Sequence, residues 1–571
     1  MTPKQTFPQA PAPLAARPIQ LPRPFETSLA NGLTVVIVED KRLPLVSFRL
    51  AFRSGNAFDP PGLPGLTDIL SGLLSEGTES RSSREIAEEV ARMGATLSAG
   101  ANSDYTTVAA SSLSNFSDNI LDLIADVTLR PSFPKNEVEL TKQNTKESLK
   151  QQRAQPSFLA NEMVSRVMFG LHPYAAIAPT PESIDATSRD RLVEFHRSMF
   201  IPNNAVFIIV GDIQREPLLK KIEGLFAQWK PGEAGSDDFV APPARSSRSA
   251  YLVDRPGSAQ SNIIIANGGI TRTSPDYFPM LLMHTVLGAN ASSRLFMNLR
   301  EEKGYTYGAY SSLDARRTAG TFRATAEVRT PVTGDSLKEF FYELNRIRTE
   351  PVSEKEIADA KSYLTGVFPI RLETQEGLID QLVQIKMFGL ADDYLQRYRE
   401  RVQAVTVAQI QEAAAKYVKP DEAAIVVVGD GRQILHQVEP YATDIEFYNT
   451  AGKRKDKPLA ASASGGDVTS VNIAGSWVLN IETPLGQDIP ATLILLQSPA
   501  GLGGRFESEM GGAELVSATF NGRSFAATMS IEMDGHAVEA QLSGEIDMEN
   551  IEGSISLQSG PPLVFTGVKS D

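Results

Sequence analysis

The sequence predicts an α+β protein in which two copies of one α/β domain precede a small antiparallel β-barrel. Two stretches carry the same module: SRDRLVEFHRSMFIPNNAVFIIVGD ends at Asp212, and VTVAQIQEAAAKYVKPDEAAIVVVGD ends at Asp430. In each, a helix leads through a proline into a buried strand. The segment EEVARMGATLSAGA around Gly94 likewise parallels NLREEKGYTYGAY around Gly304. From residue 468 onward, short alternating strands replace these patterns.

The first domain is assigned to residues 25–231, after a proline-rich extended arm over residues 1–24. Hydrophobic periodicity, caps and turn residues predict its elements. In chain order these are paired strands over 26–38 and 46–52 around turns at Asn31-Gly32 and 41–43, a helix over 65–78, a helix from a capping box at Ser82 and Glu85 to Gly94 with an inward stripe of Ile86, Val90 and Met93, a strand over 97–113, helices over 120–129, 135–153 and 189–199, and a strand over 205–210.

A linker over residues 232–248, rich in Pro, Gly and Ser, leads to the second domain at residues 249–450. A second linker, residues 451–467, is charged and then rich in Ala, Ser and Gly. Residues 468–571 then alternate in strand-like segments of a meander of about eight strands. These segments are 476–482, 491–497, 504–509, 514–520, 524–533, 537–545, 551–557 and 563–568, with turns that include Asn521-Gly522 and Asp534-Gly535.

Closure of this meander into a barrel is favoured because closure removes exposed strand edges. A barrel of this size either holds one small ligand or is filled by its own side chains. No ligand-specific residue stands out in it, which favours a structural or docking role.

Composition excludes several partners and chemistries. The 571 residues carry a formal net charge of −14, which argues against nucleic acid or an anionic membrane as the main partner, because both require a basic surface. No cysteine is present, so disulfides and thiol catalysis are excluded. No apolar run reaches the roughly 18 residues that a transmembrane helix needs.

Residues 293–310, SRLFMNLREEKGYTYGAY, predict a helix that ends at Gly304 and passes into a strand. Arg300 falls in the last helical turn and Tyr307 early in the strand. Both side chains can therefore point into one cleft and donate hydrogen bonds to a carbonyl or an oxyanion. The alternative is structural: Arg300 caps helix carbonyls, and Tyr307 packs as an ordinary strand aromatic.

The run LREEKGYTY, following SSRLF, resembles the second-domain signature of the pitrilysin or insulinase family of zinc metallopeptidases, the inverzincins. The resemblance covers about residues 25–450 and leaves out the barrel. It implies two homologous α/β sandwich domains that form half of a clamshell. In that family the matching arginine and tyrosine bind the substrate carbonyl opposite the metal, so the resemblance assigns this catalytic role to Arg300 and Tyr307.

The resemblance also locates the family's zinc motif, H-x-x-E-H, in GLTDILSGLLSEGT at residues 65–78. Asp68 and Gly72 stand at the histidine positions, and Ser71 stands at the glutamate position. Glu147 matches the third ligand but is surrounded by lysines, as an ion-paired helix residue would be. Because catalytic zinc needs about three protein ligands, we expect no metal and no other cofactor in this chain.

Other catalytic constellations are missing from the sequence. The histidines, none of which has a second ligand at zinc-site spacing, are His172, His196, His284, His436 and His536. A single buried histidine is more often a hydrogen-bonded core residue. The chain also has no G-x-S-x-G elbow, no phosphate-binding loop and no dinucleotide fingerprint.

The resemblance implies the subunit of a heterodimeric peptidase that lacks the zinc motif. A pitrilysin-like partner with H-x-x-E-H would supply zinc, and the pair would cleave unfolded peptides bound as an added strand. The alternative is an inactive scaffold or peptide-binding homodimer, in which Arg300 and Tyr307 are structural. Bacterial relatives imply a periplasmic or exported protein, with its signal segment outside this sequence, while a cytoplasmic location stays open.

Overall fold

A computed structural model describes residues 23–455, 473–482, 488–498, 501–508, 511–521, 524–533, 536–547, 550–557 and 563–570. The chain divides into two compact units, residues 1–461 and 462–571. Residues 1–22 of the predicted arm and most of the second predicted linker lie outside the described residues, as do Gly522, Asp534 and Gly535 of the predicted turns.

The first part of the larger unit follows the predicted alternation of helices and strands. Its elements are β1 (Phe25–Ser28), β2 (Thr34–Glu39), β3 (Leu45–Phe52), α1 (Leu66–Leu73), α2 (Ser83–Arg92), β4 (Thr96–Ala101), β5 (Thr106–Leu113), α3 (Ser117–Leu129), α4 (Lys135–Arg153), α5 (Pro156–Phe169), α6 (Pro181–Ala186), α7 (Arg189–Met199), β6 (Ala205–Gly211) and α8 (Arg215–Phe226).

The second part repeats this order of elements. Its elements are β7 (Ser249–Asp254), β8 (Gln260–Gly268), α9 (Tyr277–Gly288), α10 (Arg294–Phe296), a π-helix (Met297–Glu302), β9 (Thr306–Ala315), β10 (Gly320–Arg329), α11 (Thr333–Thr349), α12 (Glu354–Leu372), α13 (Gln375–Phe388), α14 (Tyr394–Ala404), α15 (Val407–Tyr417), β11 (Ala424–Gly429), α16 (Gly431–Val438), β12 (Asp444–Asn449) and β13 (Arg454–Lys455).

The two sheets share one topology, which confirms the predicted pair of homologous α/β domains. The first sheet has the order β1-β2-β6-β3-β5-β4, and the second has the order β13-β12-β7-β11-β8-β10-β9. In each, the first long strand of the domain pairs in parallel with the strand that ends the repeated module, β2 with β6 and β7 with β11. Such a match over five strands is expected of a duplicated domain.

The predicted capping box and terminal glycine of the second helix are confirmed. Ser82 accepts a hydrogen bond from the backbone N–H of Glu85, and the Glu85 carboxylate accepts one from the N–H of Ser82 at 2.8 Å. Gly94 follows the helix with φ +56°, a left-handed conformation that glycine adopts without steric cost.

Two strand predictions in the first domain are wrong. The strand over 46–52 was expected to pair with the strand before it, but β6 lies between β2 and β3. Every residue of β6 is buried, and such a strand requires neighbours on both sides. The predicted single strand over 97–113 is two antiparallel strands, because Asn102 Oδ1 accepts the N–H groups of Asp104 and Tyr105 and closes a turn.

Each domain lends one helix to the sheet of the other. Helix α5 of the first domain packs on β8 and β11, and helix α13 of the second domain packs on β3 and β6. Leu159 and Met163 of α5 are 2% exposed, and Leu382 of α13 is 3% exposed. A buried leucine contributes about 1.5–3 kcal/mol, so this exchange stabilises both sheets together.

The smaller unit is a closed antiparallel barrel, as predicted. Its strands are β14 (Gly475–Glu482), β15 (Asp488–Ser498), β16 (Gly501–Ser508), β17 (Gly511–Asn521), β18 (Ser524–Met533), β19 (His536–Asp547), β20 (Asn550–Leu557) and β21 (Leu563–Ser570). Strand β14 pairs with β21 and completes the closure. Trp477, Leu493, Met529 and Phe565 belong to its buried apolar cluster, in which Trp477 Nε1 donates to the Ile473 carbonyl at 3.2 Å.

No helix in the described part of the chain combines the length and apolar character that would let it cross a membrane.

The exchange of helices predicts that a core truncation in α13 destabilises the whole larger unit. Leu382→Ala is expected to lower its free energy of unfolding by about 2–5 kcal/mol, since the residue packs against the first sheet across the domain boundary. The shift is measured as the urea midpoint of the helical circular dichroism signal, to which the all-β barrel adds little.

Leu140→Ala serves as the matched control, because Leu140 lies on α4 and is 51% exposed. It should change stability by less than about 0.5 kcal/mol. Equal effects of the two substitutions would contradict the packing role of α13.

Candidate functional site

The segment before Gly304 departs from the predicted regular α-helix. After the single turn α10, the chain forms a π-helix over Met297–Glu302, in which the N–H of Lys303 reaches the carbonyl of Asn298 at 3.0 Å. Its adjacent residues Asn298 and Leu299 are both buried. Asn298 Nδ2 donates to Glu343 at 3.0 Å and Glu339 at 3.1 Å. Single π-helical turns are frequent at functional sites.

Arg300 lies on this π-helix, where its side chain is 42% exposed. Its guanidinium forms an ion pair with Glu301 and lies 5.2 Å from the centre of the Phe296 ring. Within residues 23–455, no hydrogen bond joins the Arg300 side chain to a helix carbonyl, which the capping alternative requires. An exposed pair of neighbouring residues contributes little stability, so the guanidinium can leave Glu301 for a ligand at small cost.

Tyr307 follows Gly304, whose φ is +64°, and is 90% exposed on β9, the edge strand of the second sheet. The register with β10 shifts between Ala326 and Val328, so that Tyr307 and Gly308 lie opposite the single residue Glu327. Such a bulge reorients a side chain at a sheet edge.

Gly308 suits the bulge for a steric reason. A Cβ at this position would lie 2.6 Å from the Tyr310 ring. Thr306 secures the same turn, because its hydroxyl oxygen accepts the N–H of Gly308 at 3.1 Å. The hydroxyl of Tyr307 makes no hydrogen bond to the residues that the structure describes. The bulge therefore presents a phenol whose donor is available.

A cavity of about 610 Å³ opens beside Tyr307. Its other lining residues are Ser157, Asn161, Gln260, Asn262, Ile264, Thr306, Gly308, Tyr310, Ser312, Arg323, Thr325, Ala326 and Glu327. Arg300 is not part of this lining. The structure thus places Arg300 and Tyr307 on opposite sides of Gly304, but it gives only Tyr307 a place in the cavity.

The polar lining of this cavity is the feature that the sequence analysis missed. Arg323, Thr325 and Glu327 alternate along β10 and therefore share one face of the sheet. Glu327 accepts a hydrogen bond from Asn262 Nδ2 at 2.8 Å. Polar residues at every second position of an otherwise buried strand were a readable signal for a wet surface.

The residues at the degenerate zinc motif lie on and around α1. Asp68 is accessible to solvent, and its Oδ2 accepts a hydrogen bond from Asn56 Nδ2 at 2.9 Å. Neighbouring protein atoms displace part of the hydration of its carboxyl, and this desolvation raises the pKa of the group. Ser71 is buried and donates to the Asp68 carbonyl at 3.0 Å. Gly72 faces open space where a Cβ would stand. Glu147 is 66% exposed and pairs with Lys150 at 2.8 Å.

This set does not fit a zinc ion. One carboxylate is oriented by an asparagine, the other is engaged by a lysine, and Ser71 and Gly72 provide no strong ligand. Among the described residues, no group of three or more His, Asp or Glu side chains could hold a metal.

The histidines whose contacts are seen stabilise the fold. His172 Nδ1 accepts the N–H of Tyr174 at 3.1 Å. His196 Nε2 donates to the Thr128 carbonyl at 2.9 Å, and desolvation lowers its pKa to about 4. His284 Nδ1 lies 2.7 Å from Ser311 Oγ. The side chain of His536 lies outside the described part.

Two regions of the chain match known protein families. Residues 34–182 match the insulinase family, peptidase family M16, and residues 186–364 match the peptidase M16 inactive domain.

The curated relatives are distant in sequence, but the matched region covers most of the length of each. A protein of Bacillus subtilis named uncharacterized zinc protease YmxG is 23% identical over 60% of this chain and 83% of its own. A protein of Helicobacter pylori named non-peptidase homolog YmxG is 20% identical over 70% of this chain and 92% of its own.

Solved structures agree with these relatives. The peptidase M16 inactive domain from Pseudomonas fluorescens is 27% identical, with a TM-score of 0.67 over 71% of this chain and 98% of its own. A protease from Helicobacter pylori also has a TM-score of 0.67, over 72% of this chain and 100% of its own, and its 18% identity supports the fold alone.

The composition of the α1 site predicts that zinc has no specific effect on this chain. Zinc added after treatment with a chelator should leave the free energy of unfolding unchanged, whereas saturation of a real site at a hundredfold excess over Kd would add about 2.7 kcal/mol. The measurement is urea denaturation with and without zinc, together with the metal content of the purified chain. One tightly held zinc per chain would contradict the prediction.

Proposed function

Because the chain belongs to the insulinase family, peptidase family M16, we propose that it is the subunit of a two-chain peptidase that carries no zinc of its own. Its fold is the inactive M16 type, which suits a non-catalytic subunit. The partner in this proposal is a pitrilysin-like chain with H-x-x-E-H intact. That partner supplies the metal and the attacking water.

The observation that carries the proposal is Tyr307. An aromatic side chain that is 90% exposed on an edge strand, and is placed there by a bulge, has no role in the core of this chain. Exposed and unpaired, its hydroxyl is suited to donate to a group that arrives from outside.

Arg300 completes the proposed pair of donors. Its guanidinium is held only by Glu301 and by the ring of Phe296, so a substrate carbonyl can replace Glu301. In the assembled enzyme, Arg300 and Tyr307 bind the scissile carbonyl and stabilise the negative charge that develops on its oxygen. Such donors accelerate the reaction if their hydrogen bonds to the charged oxygen of the transition state are stronger than those to the neutral carbonyl of the bound substrate.

The substrates proposed are unfolded peptides. Strand β9 forms one edge of the second sheet, and β4 forms one edge of the first. An extended peptide can add to such an edge through backbone hydrogen bonds, which recognise any sequence. We place this activity in the bacterial periplasm or outside the cell.

A second candidate function is an inactive scaffold or peptide-binding homodimer. The ion pair of Arg300 with Glu301 favours it, since the guanidinium already has a partner within this chain. In that case Arg300 and Tyr307 act only on the structure.

The proposal predicts that this chain and its zinc-bearing partner cleave an unstructured fluorogenic peptide only when mixed. Arg300→Ala or Tyr307→Phe should lower kcat/KM of the mixture by about 10²-fold or more, the usual loss for one donor to an oxyanion. The partner should retain its zinc in both cases, because neither residue belongs to the metal site.

Arg191→Ala and Tyr342→Phe are matched controls, since both residues are exposed and lie on α7 and α11. They should leave turnover unchanged. A partner that is fully active alone, or a mixture that is insensitive to Arg300→Ala, would support the scaffold and sink the split active site.

A further inference from the structure

Arg323 places a positive charge in the wall of the cavity beside Tyr307. Only 9% of this residue is exposed, and burial lowers the pKa of its guanidinium through desolvation. Isolated buried charges are rare, because the transfer from water costs several kcal/mol unless an opposite charge compensates it. The groups around Arg323 therefore show whether the chain itself supplies a compensating negative charge.

The partners of Arg323 are all neutral. Its Nε donates to Thr321 Oγ1 at 3.0 Å, and its terminal nitrogens donate to Asn161 Oδ1 at 3.1 Å and Ser165 Oγ at 3.4 Å. No carboxylate of the described residues lies within ion-pair distance. Two charges act on Arg323 through space, Asp314 and Arg316, and they pair with each other at 2.7 Å.

The exchanged helices offer an internal comparison. In the first sheet, Arg49 of β3 faces α13 and pairs with Glu376 and, at 3.6 Å, with Asp380. The corresponding positions of α5, counted from the first residue of each helix, hold Ser157 and Asn161. Strand β3 corresponds to β8 and not to β10, so the two arginines face their borrowed helices from different strands. Even so, the arginine that faces α13 has two acids beside it, and the arginine that faces α5 has none.

The remaining donors of Arg323 are suited to an incoming anion. A guanidinium has five N–H groups, and three of them are used. The first turns of α5, represented by Ser157 and Asn161, line the same cavity, and the N-terminal end of a helix favours negative charge. Both contributions have the same sign.

Glu327 gives the cavity a negative end opposite the positive charge of Arg323. It lies four residues beyond Arg323 on β10, roughly 13 Å away at the rise of a strand, and it borders Tyr307. A ligand carboxylate is therefore repelled near Tyr307 and attracted at the Arg323 end.

We propose that the cavity is an acidic-residue subsite in which Arg323 binds a carboxylate of the peptide, about four residues from the carbonyl that Tyr307 holds. The carboxylate is either an Asp or Glu side chain or the C-terminus of the peptide. The inference rests on the proposed function in taking the ligand to be a peptide.

The test is the binding of labelled eight-residue peptides of Ser, Ala and Thr to the full chain without any partner, followed by fluorescence anisotropy. One pair of peptides differs by Asp against Asn at an internal position, scanned along the peptide, and another pair differs by a free C-terminus against a carboxamide. At least one carboxylate peptide should bind about tenfold more tightly than its neutral twin, as a charge-assisted hydrogen bond implies. The pair that shows the difference identifies the source of the carboxylate.

Variants then assign the preference. Arg323→Gln should remove the difference between the twins, Arg323→Lys should restore part of it, and Glu327→Gln should preserve or increase it. Equal affinities for every pair, no binding of any peptide, or a preference that survives Arg323→Gln would overturn the inference. The comparison of twin peptides on the unaltered chain keeps its meaning even where a variant fails to fold.

The two proposals fail separately. Loss of carboxylate preference with a mixture that still cleaves and still needs Arg300 would remove only the subsite. Carboxylate preference in a chain whose Arg300 is dispensable for turnover would leave a peptide-binding protein.

Discussion

The exchange of helices between the two sheets is the constraint on which the larger unit depends. Helix α5 covers part of the second sheet and α13 covers part of the first, so neither domain buries its own sheet alone. Polar contacts reinforce the apolar ones, as where Ser47 donates to Glu376 at 2.7 Å. Because the two borrowed helices fix the mutual position of the sheets, they also fix where Tyr307 lies relative to the first domain. Any function that needs both domains therefore depends on these two helices.

Much of this fold could be predicted from periodicity, but strand order could not. The helices over 135–153 and 189–199 have the bounds that their patterns predict, because apolar spacing and, for the second helix, the cap at Ser188 are local signals. The position of β6 between β2 and β3 depends on a contact between residues far apart in sequence. A local pattern shows that β6 is buried without showing what covers it. The π-helix at Met297–Glu302 was missed as well, and its Asn298 bonds to Glu343 of α11, a contact that no local pattern shows.

The candidate site divides in the same manner. Arg300 and Tyr307 could be named because they belong to a contiguous signature around Gly304, and their catalytic role stays a prediction. The cavity could not be found that way, because α5, β8, β9 and β10 all contribute to it. At the other candidate site, α1 keeps the helix and its tight N-terminal Gly65, at φ +87°, while its side chains give a metal no ligand set. Packing stabilises this helix without a metal, since Leu66, Ile69, Leu70 and Leu73 are core residues.

The two domains share a topology but differ in how an arginine beside a borrowed helix is neutralised, and this difference bears on function. Arg49 is held by acids within the chain, so its charge serves the contact between the domains. Arg323 also contacts a borrowed helix, α5, but from a strand that is not the counterpart of β3, and its hydrogen-bond partners are all neutral. A stabilising role alone would be served as well by an uncharged residue, because replacing a buried charge by an apolar group of similar volume is often neutral or favourable. A buried arginine beside an open cavity is instead explained by a negative charge that comes from outside the chain. In a protein whose net charge is −14, that positive cavity wall also distinguishes the site from the surface around it.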